Sequence, residues 1–230
     1  MANGGVWEAP LNALLLSLLR SSGLNCSAIP VFDVGANLGA FTLFAAAQGC
    51  RLWAFEMQPY IATLLELSLR VNGYRPQVTL YNAPVWNATG VPIAIRSYDG
   101  NFGGAEAHEA QKGDAAVAHT IQIKDVYDGD ISFLKLDVEK AEEQALRGMG
   151  SLLTERRVKH FVMELRHAHR ELVTWLYDIG YHCGLYERTH FWSRAEIAQL
   201  VEDIEEGRYT DAYCTPAPIA AWPMATPSVQ

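Results

Sequence analysis

A short apolar run that enters a glycine turn and then a helix lies near the N-terminus, in VFDVGANLGAFT at residues 31–42. Twenty-one positions after Gly35, the apolar run LWAF is followed by Glu56. Gly35 and Gly39 allow a tight turn and a close approach by a ligand, and the start of the helix offers unpaired N–H groups. An acid at the tip of the second strand can accept hydrogen bonds from both hydroxyls of a ribose. The stretch predicts the opening βαβ unit of a nucleoside-binding α/β fold.

The residues inside this turn distinguish two cofactor classes. A dinucleotide fingerprint has glycine at its second and third positions, so that a pyrophosphate can lie against the turn. This chain has Asn37 at the second position and Ala40 at the last. Because S-adenosylmethionine (SAM) has no pyrophosphate, the turn favours SAM over NAD.

A second motif, ISFLKLDVE at residues 131–139, is an apolar run that ends in two acids. As a strand it brings Asp137 and Glu139 to the carboxyl edge of the sheet, where ligands bind in open α/β folds. The two carboxylates face the same side if the strand continues through them, and they diverge if it ends at Asp137.

With both motifs, the chain resembles the FkbM-type family of SAM-dependent methyltransferases over roughly residues 30–165. The resemblance rests on four ordered segments, VFDVGANLGAFTLFAA at 31–46, AFEMQP at 54–59, VTLYNAPV at 78–85 and FLKLDVEKAEEQALRG at 133–148. It implies an α/β, Rossmann-like class I methyltransferase fold, with a mostly parallel central sheet, helices on both faces and an antiparallel edge strand. The chain departs from the family pattern at Met57-Gln58, at Pro84-Val85-Trp86 and at Lys140, which replaces a customary glycine. Because Lys140 lies at the expected reaction edge, it bears on the substrate class more than on the cofactor.

The predicted cofactor-binding residues lie at strand ends and in the turns that follow. Asp33 is predicted to hold the methionine end of SAM or the loop backbone. Glu56 loses hydration at the tip of an apolar strand, and a ribose supplies the partner that it needs. For Asn82 and Ala83 the resemblance implies contacts with adenine, and an ordinary strand-end turn is an equal alternative. The full predicted set is Asp33, Gly35, Asn37, Gly39, Thr42, Glu56, Met57, Asn82, Ala83 and Asp137.

Asp137 and Glu139 are the predicted catalytic residues. Methyl transfer needs mainly alignment and a group that accepts a proton from a hydroxyl acceptor, and either acid can supply that group. An alternative hypothesis is a divalent metal held by these two acids and Glu164, since hard cations prefer carboxylate oxygens. We favour the metal-free version because local spacing fixes no third ligand. His167 and His169 are alternative bases, and two exposed histidines at a helix start are an equal interpretation.

Length and composition fit one folded unit. A chain of 230 residues with 50% hydrophobic content can bury a single core. We divide it into an N-terminal helical cap at 1–29, the SAM-dependent methyltransferase domain at 30–214 and a proline-rich tail at 215–230. A net charge of −8 and the lack of a long basic run argue against nucleic acid as a substrate. The apolar run at 11–19 is shorter than the ~20 residues of a membrane span, and we interpret it as an amphipathic helix that covers the sheet.

The cysteines lead to an expectation about the compartment. Cys26, Cys50, Cys183 and Cys214 are far apart and form no CxxC pair. We therefore expect reduced, buried thiols, which favour a reducing compartment and a cytoplasmic protein.

The alternation of apolar and polar segments predicts a parallel sheet with connecting helices. Between two predicted strands, the polar segment 98–116 carries four glycines and is predicted to be a mobile active-site loop. The predicted helices are at 9–21, 39–47, 59–71, 141–153, 167–179 and 193–207, and the predicted strands are at 30–34, 51–55, 77–81, 91–97, 117–123, 132–137, 158–164 and 181–187.

These features predict a SAM-dependent methyltransferase that acts on a hydroxyl of a small or medium-sized metabolite, such as a sugar or a polyketide. The class of acceptor is implied by the resemblance alone. Two alternatives stay open. One is a catalytically inactive SAM-fold module that binds a partner, and the other is an NAD(P)-dependent oxidoreductase, for which Asn37 and Ala40 leave the dinucleotide turn incomplete.

Overall fold

Two apolar runs of the sequence, VFDV and FLKL, are buried along their full length and lie side by side as parallel strands. The computed structural model describes residues 8–21, 23–98, 101–112, 114, 117–165, 170–185, 191–197 and 210–216. In this part of the chain the helices are α1 Ala9–Ser21, α2 Ala40–Ala47, α3 Pro59–Val71, α4 Ile123–Val126, α5 Glu142–Arg147, α6 Ser151–Thr154 and α7 Arg170–Asp178, with a 3₁₀ turn at Arg75–Gln77. The strands are β1 Val31–Val34, β2 Leu52–Phe55, β3 Val78–Tyr81, β4 Pro92–Tyr98, β5 Asn101–Glu109, β6 Val117–His119, β7 Phe133–Leu136, β8 Phe161–Leu165, β9 His182–Leu185 and β10 Thr210–Thr215.

In the described part of the chain, seven strands form the central sheet, in the order β3-β2-β1-β7-β8-β10-β9. The pairs among β3, β2, β1, β7 and β8 are parallel, whereas β10 is antiparallel to both of its neighbours. Successive residues of β1 enter different apolar clusters, with Val31 on one face and Phe32 on the other, because side chains alternate along a strand. The predicted fold class is confirmed. The antiparallel strand lies one position in from the edge of the sheet.

The N-terminal apolar run forms α1 as an amphipathic helix. Leu11, Leu14, Leu15 and Leu18 are buried at the spacing of one helix face. They share a core cluster with α2 and with residues of the sheet, so the predicted covering helix is confirmed. Among the described residues, no helix is both long and apolar enough to cross a membrane.

The prediction of a loop over 98–116 is wrong for residues 101–109. These residues form β5, which pairs with β4 in a second, antiparallel sheet of order β5-β4-β6. Glycines and polar residues interrupt the apolar alternation that predicts a strand. The strand depends instead on its hydrogen bonds to β4.

The helix predicted over 141–153 is divided into α5 and α6. The division falls at Gly148 and Gly150, and Gly150 has a φ of 54°, in the left-handed region that favours glycine. A Cβ on residue 148 would collide with the carbonyl oxygen of Trp86. The close packing of these two segments therefore requires glycine where the helix breaks.

The expectation of reduced thiols is wrong. Cys26 is bonded to Cys50, and Cys183 is bonded to Cys214. Cys183 and Cys214 are directly opposite each other on β9 and β10, a pairing that only the sheet register brings about. The argument for a reducing compartment therefore loses its basis, because disulfides persist mainly in oxidising surroundings.

Several predictions fall on residues that the structure does not describe. His167 and His169 lie outside the described residues, as do the tail from 217 onwards and most of the helix predicted at 193–207, of which 194–197 are helical.

Candidate active site

The glycine turn that leaves β1 is built against the end of β7. Gly35 has a φ of 85°, and its N–H and that of Ala36 donate to the carbonyl oxygen of Phe55 at 3.0 and 2.9 Å. A Cβ on residue 35 would collide with the carbonyl oxygen of Asp137. The sequence indicated that this glycine makes room for a ligand. The structure shows that it first makes room for the backbone that carries Asp137.

Glu56 follows β2 and is bound to the same turn. Its Oε2 accepts a hydrogen bond from the Asn37 N–H and its Oε1 accepts one from the Gln58 N–H, both at 2.8 Å. Burial raises the pKa of Glu56 even though both backbone hydrogen bonds favour the carboxylate. Each oxygen keeps a further lone pair, so the carboxylate can still accept hydrogen bonds from a diol.

Asp33 and Thr42 lie beneath the turn. Both are fully buried, and the Thr42 hydroxyl donates to Asp33 Oδ2 at 2.5 Å. The other oxygen, Asp33 Oδ1, is 3.5 Å from the ammonium of Lys135, which also donates to the Gly35 carbonyl at 3.0 Å. In the structure these side chains support the turn from inside. Direct contact of Asp33 or Thr42 with a cofactor stays a prediction.

The end of β3 contributes through two neighbouring residues. The Asn82 amide donates to the carbonyl oxygens of Glu56 and Met57 at 2.8 and 3.2 Å, so it fixes the backbone that follows β2. Ala83 faces the pocket.

Gly39, with a φ of 90°, precedes α2, and a Cβ there would collide with Leu65.

A pocket with about 570 Å³ of empty space, part of it open to solvent, lies above these strand ends. Seven of the predicted site residues line it, namely Gly35, Asn37, Glu56, Met57, Ala83, Asp137 and Glu139. The other lining residues come from the strand ends and from the second sheet: Val34, Phe55, Gln58, Pro84, Val85, Trp86, Ala105, Ala107, Val138 and Ala141. The structure thus brings six of the ten predicted cofactor residues and both predicted catalytic acids to one cavity. The remaining four, Asp33, Gly39, Thr42 and Asn82, do not line it.

The second sheet forms part of the pocket wall, which the sequence did not predict. Ala105 and Ala107 are two residues apart on β5 and therefore face the same side. Glu106, between them, is paired with Lys140 at 2.6 Å. This ion pair joins the second sheet to the turn after β7, and the Lys140 that replaces a customary glycine forms it.

The turn after β7 carries the two acids in an unusual backbone. The strand ends at Leu136, and Glu139 and Lys140 both have left-handed φ values of 51° and 79°. Such conformations are costly for residues with a Cβ and cluster at functional sites. The strand thus ends before Asp137, the case in which the two acids were expected to diverge, yet both line the pocket.

Glu142, the first residue of α5, supports this turn and was not among the predicted site residues. Its Oε1 accepts a hydrogen bond from the Val138 N–H at 3.3 Å. The side chain is fully buried, and this burial raises the pKa of Glu142 to about 7, with Glu164 and Asp137 adding to the rise. Burial of an acid in an apolar helix face has no signature in a single sequence.

The described residues contain no group of three or more His, Cys, Asp or Glu side chains arranged to hold a metal ion. Lys135 was not predicted as a site residue, although a lysine inside the apolar run FLKL requires charged partners when it is buried.

Comparison with solved structures defines the class of the fold. The chain matches an FkbM methyltransferase from Methylobacillus flagellatus KT with a TM-score of 0.55 and 20% identity, over 86% of this chain and 47% of that one. It matches an rRNA methylase from Streptococcus thermophilus with a TM-score of 0.50 and 12% identity, over 94% and 98% of the two chains. A putative rRNA methylase from Clostridium thermocellum gives a TM-score of 0.50 and 14% identity, over 89% and 95%. The fold is that of the Rossmann-like class I methyltransferases, and the chain spans about half the length of the Methylobacillus protein.

The sequence itself shows the family. Residues 33–183 match the methyltransferase FkbM domain, so this chain belongs to the FkbM family of SAM-dependent methyltransferases. A comparison with curated proteins finds no match. The family resemblance that the four motifs indicated is confirmed.

Proposed function

We propose that this protein transfers the methyl group of SAM to a hydroxyl oxygen of a small or medium-sized metabolite, such as a sugar or a polyketide. The observation that carries the proposal is the shared pocket, in which Glu56 and Asn37 on one side meet Asp137 and Glu139 on the other. The net charge of −8 adds support, because a nucleic-acid substrate requires a basic surface.

The carboxylates and apolar side chains in the pocket fit SAM. Glu56 offers carboxylate lone pairs for the ribose hydroxyls, and Met57 and Ala83 offer apolar contacts for adenine. Asp137 presents a carboxylate, 45% exposed, for the cationic end of the molecule. When bound, SAM supplies an activated methyl group on a positively charged sulfur.

Glu139 is the proposed general base. It lines the pocket and is held in a left-handed turn, so its carboxylate can accept the proton that an acceptor hydroxyl loses. Ala105 and Ala107 wall the pocket, which limits water around the reacting groups and leaves room for a modest acceptor.

Binding of S-adenosylhomocysteine, measured by isothermal titration calorimetry, tests the cofactor assignment. Glu56→Ala is expected to weaken binding by about 1–3 kcal/mol, because it removes hydrogen bonds to a charged group. Glu66→Ala is the matched control, since Glu66 lies on α3, outside the pocket, and is paired with Arg70 of α3 and with Arg75. Unchanged affinity in a folded Glu56→Ala protein would contradict the ribose assignment, and micromolar binding of NAD would favour an oxidoreductase.

Transfer of a labelled methyl group to a panel of hydroxyl compounds tests the reaction. Once an acceptor is found, Glu139→Gln is expected to lower kcat by ~10²–10⁴ with EDTA present, the scale of a lost general base. Full activity of that variant would exclude Glu139 as the base. Saturable SAM binding without transfer to any acceptor would instead support the inactive binding module.

A further inference from the structure

A buried lysine beside the pocket is surrounded by carboxylates from three elements. The Lys135 ammonium, on β7, is 3.2 Å from Oε1 of Glu8, 3.5 Å from Oδ1 of Asp33 and 3.5 Å from Oδ2 of Asp137. Glu8 immediately precedes α1, Asp33 is in β1 and Asp137 follows β7. We call these four residues the buried charge cluster. Glu8 therefore contacts the charged residues that lie beneath the pocket.

The buried charge cluster carries more negative than positive charge. Burial alone lowers the pKa of a lysine, but the carboxylates of Asp33, Asp137 and Glu8 outweigh that effect and raise the pKa of Lys135. One ammonium thus faces three carboxylates. Oε2 of Glu8 and Oδ1 of Asp33 are buried and accept no hydrogen bond from the described residues. A single ammonium does not balance three carboxylates, and an excess of negative charge away from water is costly unless a further cation approaches it.

The backbone of Glu8 indicates that its position is specified. Glu8 has a φ of 59°, a left-handed conformation that is uncommon for a residue with a Cβ. Its side chain is only 17% exposed, and its carboxylate points to Lys135. A strained backbone that delivers a buried acid to a charged centre persists only where the surrounding structure fixes it.

Asp137 connects the buried charge cluster to the pocket. Asp137 is the member that lines the pocket, while the side chains of Asp33 and Lys135 lie beneath it with little or no exposure. Electrostatic interactions act more strongly in such a site than in water. The pocket floor therefore presents a negative potential to whatever ligand lies above Asp137.

We propose that the buried charge cluster makes the pocket favour the cationic methyl donor over the neutral product, and that Glu8 supplies part of this preference. The inference rests on the proposed binding of SAM. SAM and S-adenosylhomocysteine share the adenosine, the ammonium and the carboxylate, and they differ by one methyl group and by the positive charge on sulfur. Shape separates them weakly, whereas a negative floor separates them by charge.

The test compares the affinities of ligands of different charge for a variant in which one side chain loses its charge but keeps its size. Glu8→Gln removes one negative charge, and affinities for SAM, for sinefungin, whose amine replaces the charged sulfur group, and for S-adenosylhomocysteine are measured calorimetrically at pH 8. We expect SAM and sinefungin to bind about tenfold more weakly and S-adenosylhomocysteine to change less than twofold. Glu8→Asp, which retains the charge, should keep the ratio of affinities within about twofold of the starting protein.

Glu66→Gln is the matched control, because it removes the same charge from the exposed face of α3. An equal loss for all three ligands in a Glu8→Gln protein with an unchanged circular dichroism spectrum would overturn the proposal and leave Glu8 a structural role. Unchanged ratios would also overturn it. Failure of the unmodified protein to bind any of the three ligands would instead refute the proposed SAM-binding function.

Discussion

Two turns meet at the floor of the pocket. Both contain residues with a left-handed backbone conformation, but the residue types differ. The turn after β1 has left-handed residues at Gly35, Asn37 and Gly39. The turn after β7 has them at Glu139 and Lys140. Glycine and asparagine adopt this conformation at little cost, whereas glutamate and lysine do so against steric repulsion.

The difference separates a turn that supports the site through its backbone from a turn that presents its side chains at the edge of the pocket. The first turn omits side chains where the backbone of Asp137 approaches. The second keeps its side chains, since Glu139 lines the pocket and Lys140 is paired with Glu106. Hydrogen bonding of Val138 to buried Glu142 helps to hold that strained backbone. Strain at the second turn is therefore the cost of presenting an acid and a cation at the edge of the pocket.

The largest expected effect comes from a methyl group at the first turn. Gly35→Ala should lower the free energy of unfolding by about 3–5 kcal/mol and abolish S-adenosylhomocysteine binding. The new Cβ adds a left-handed penalty of about 1–2 kcal/mol to a collision with the Asp137 carbonyl. Urea denaturation measures the loss of stability.

Gly49→Ala is the control for the conformational part alone. Gly49 has a φ of 82°, and a Cβ there would meet nothing within 4 Å. The expected loss is about 1–2 kcal/mol with unchanged ligand binding. Equal losses at the two positions would show that the contact between the two turns does not matter.

The next effect tests how the second turn is supported. The pKa of Glu142 is about 7 in the folded protein and close to 4.5 in the unfolded chain. Between these values the folded state holds a proton that the unfolded state has lost, so stability falls as the pH rises through this window. Completed ionisation costs about 3 kcal/mol above pH 7.

Glu142→Gln should remove that part of the pH dependence, so the variant gains stability relative to the starting protein as the pH rises from 5 to 8. Urea denaturation at the two pH values measures the change. Glu143→Gln is the neighbouring control, since Glu143 is partly exposed and paired with Arg147. If Glu142→Gln leaves the pH dependence of stability unchanged, that dependence belongs to another titrating group.

The smallest effect measures the backbone strain of the second turn directly. Lys140→Gly and Lys140→Ala both remove the ion pair with Glu106, but only glycine relieves the left-handed conformation. The glycine variant should be more stable than the alanine variant by about 1 kcal/mol. Identical thermal unfolding of the two variants would mean that the turn adapts to either residue.

Sequence patterns predicted the fold correctly where a pattern has a single structural explanation. The apolar runs of β1, β2, β3 and β7 predicted the parallel sheet, and their order along the chain predicted which acids meet at its carboxyl edge. The second sheet escaped prediction because β5 gains its hydrogen bonds from β4, and its glycines break the alternation that marks a strand.

The support of the site escaped prediction for a different reason. Asp33 was predicted to hold SAM or the loop backbone, and Glu142 has no distinguishing pattern in the sequence. Only the packed structure shows that both acids are fully buried. Glu8 reaches Lys135 across 127 positions of sequence, a contact that local patterns do not encode. Burial and long-range charge pairing are properties of the fold rather than of a sequence window.

The disulfide bond between Cys26 and Cys50 closes a covalent ring in the chain. The ring contains β1, the glycine turn and α2, and its ends are 24 positions apart. Such a closed loop restricts the unfolded chain and stabilises the folded state by about 3 kcal/mol. A chain with reduced thiols has the same residues but an open ring, so the segment that forms β1, the glycine turn and α2 owes part of its stability to the loss of two electrons from this cysteine pair.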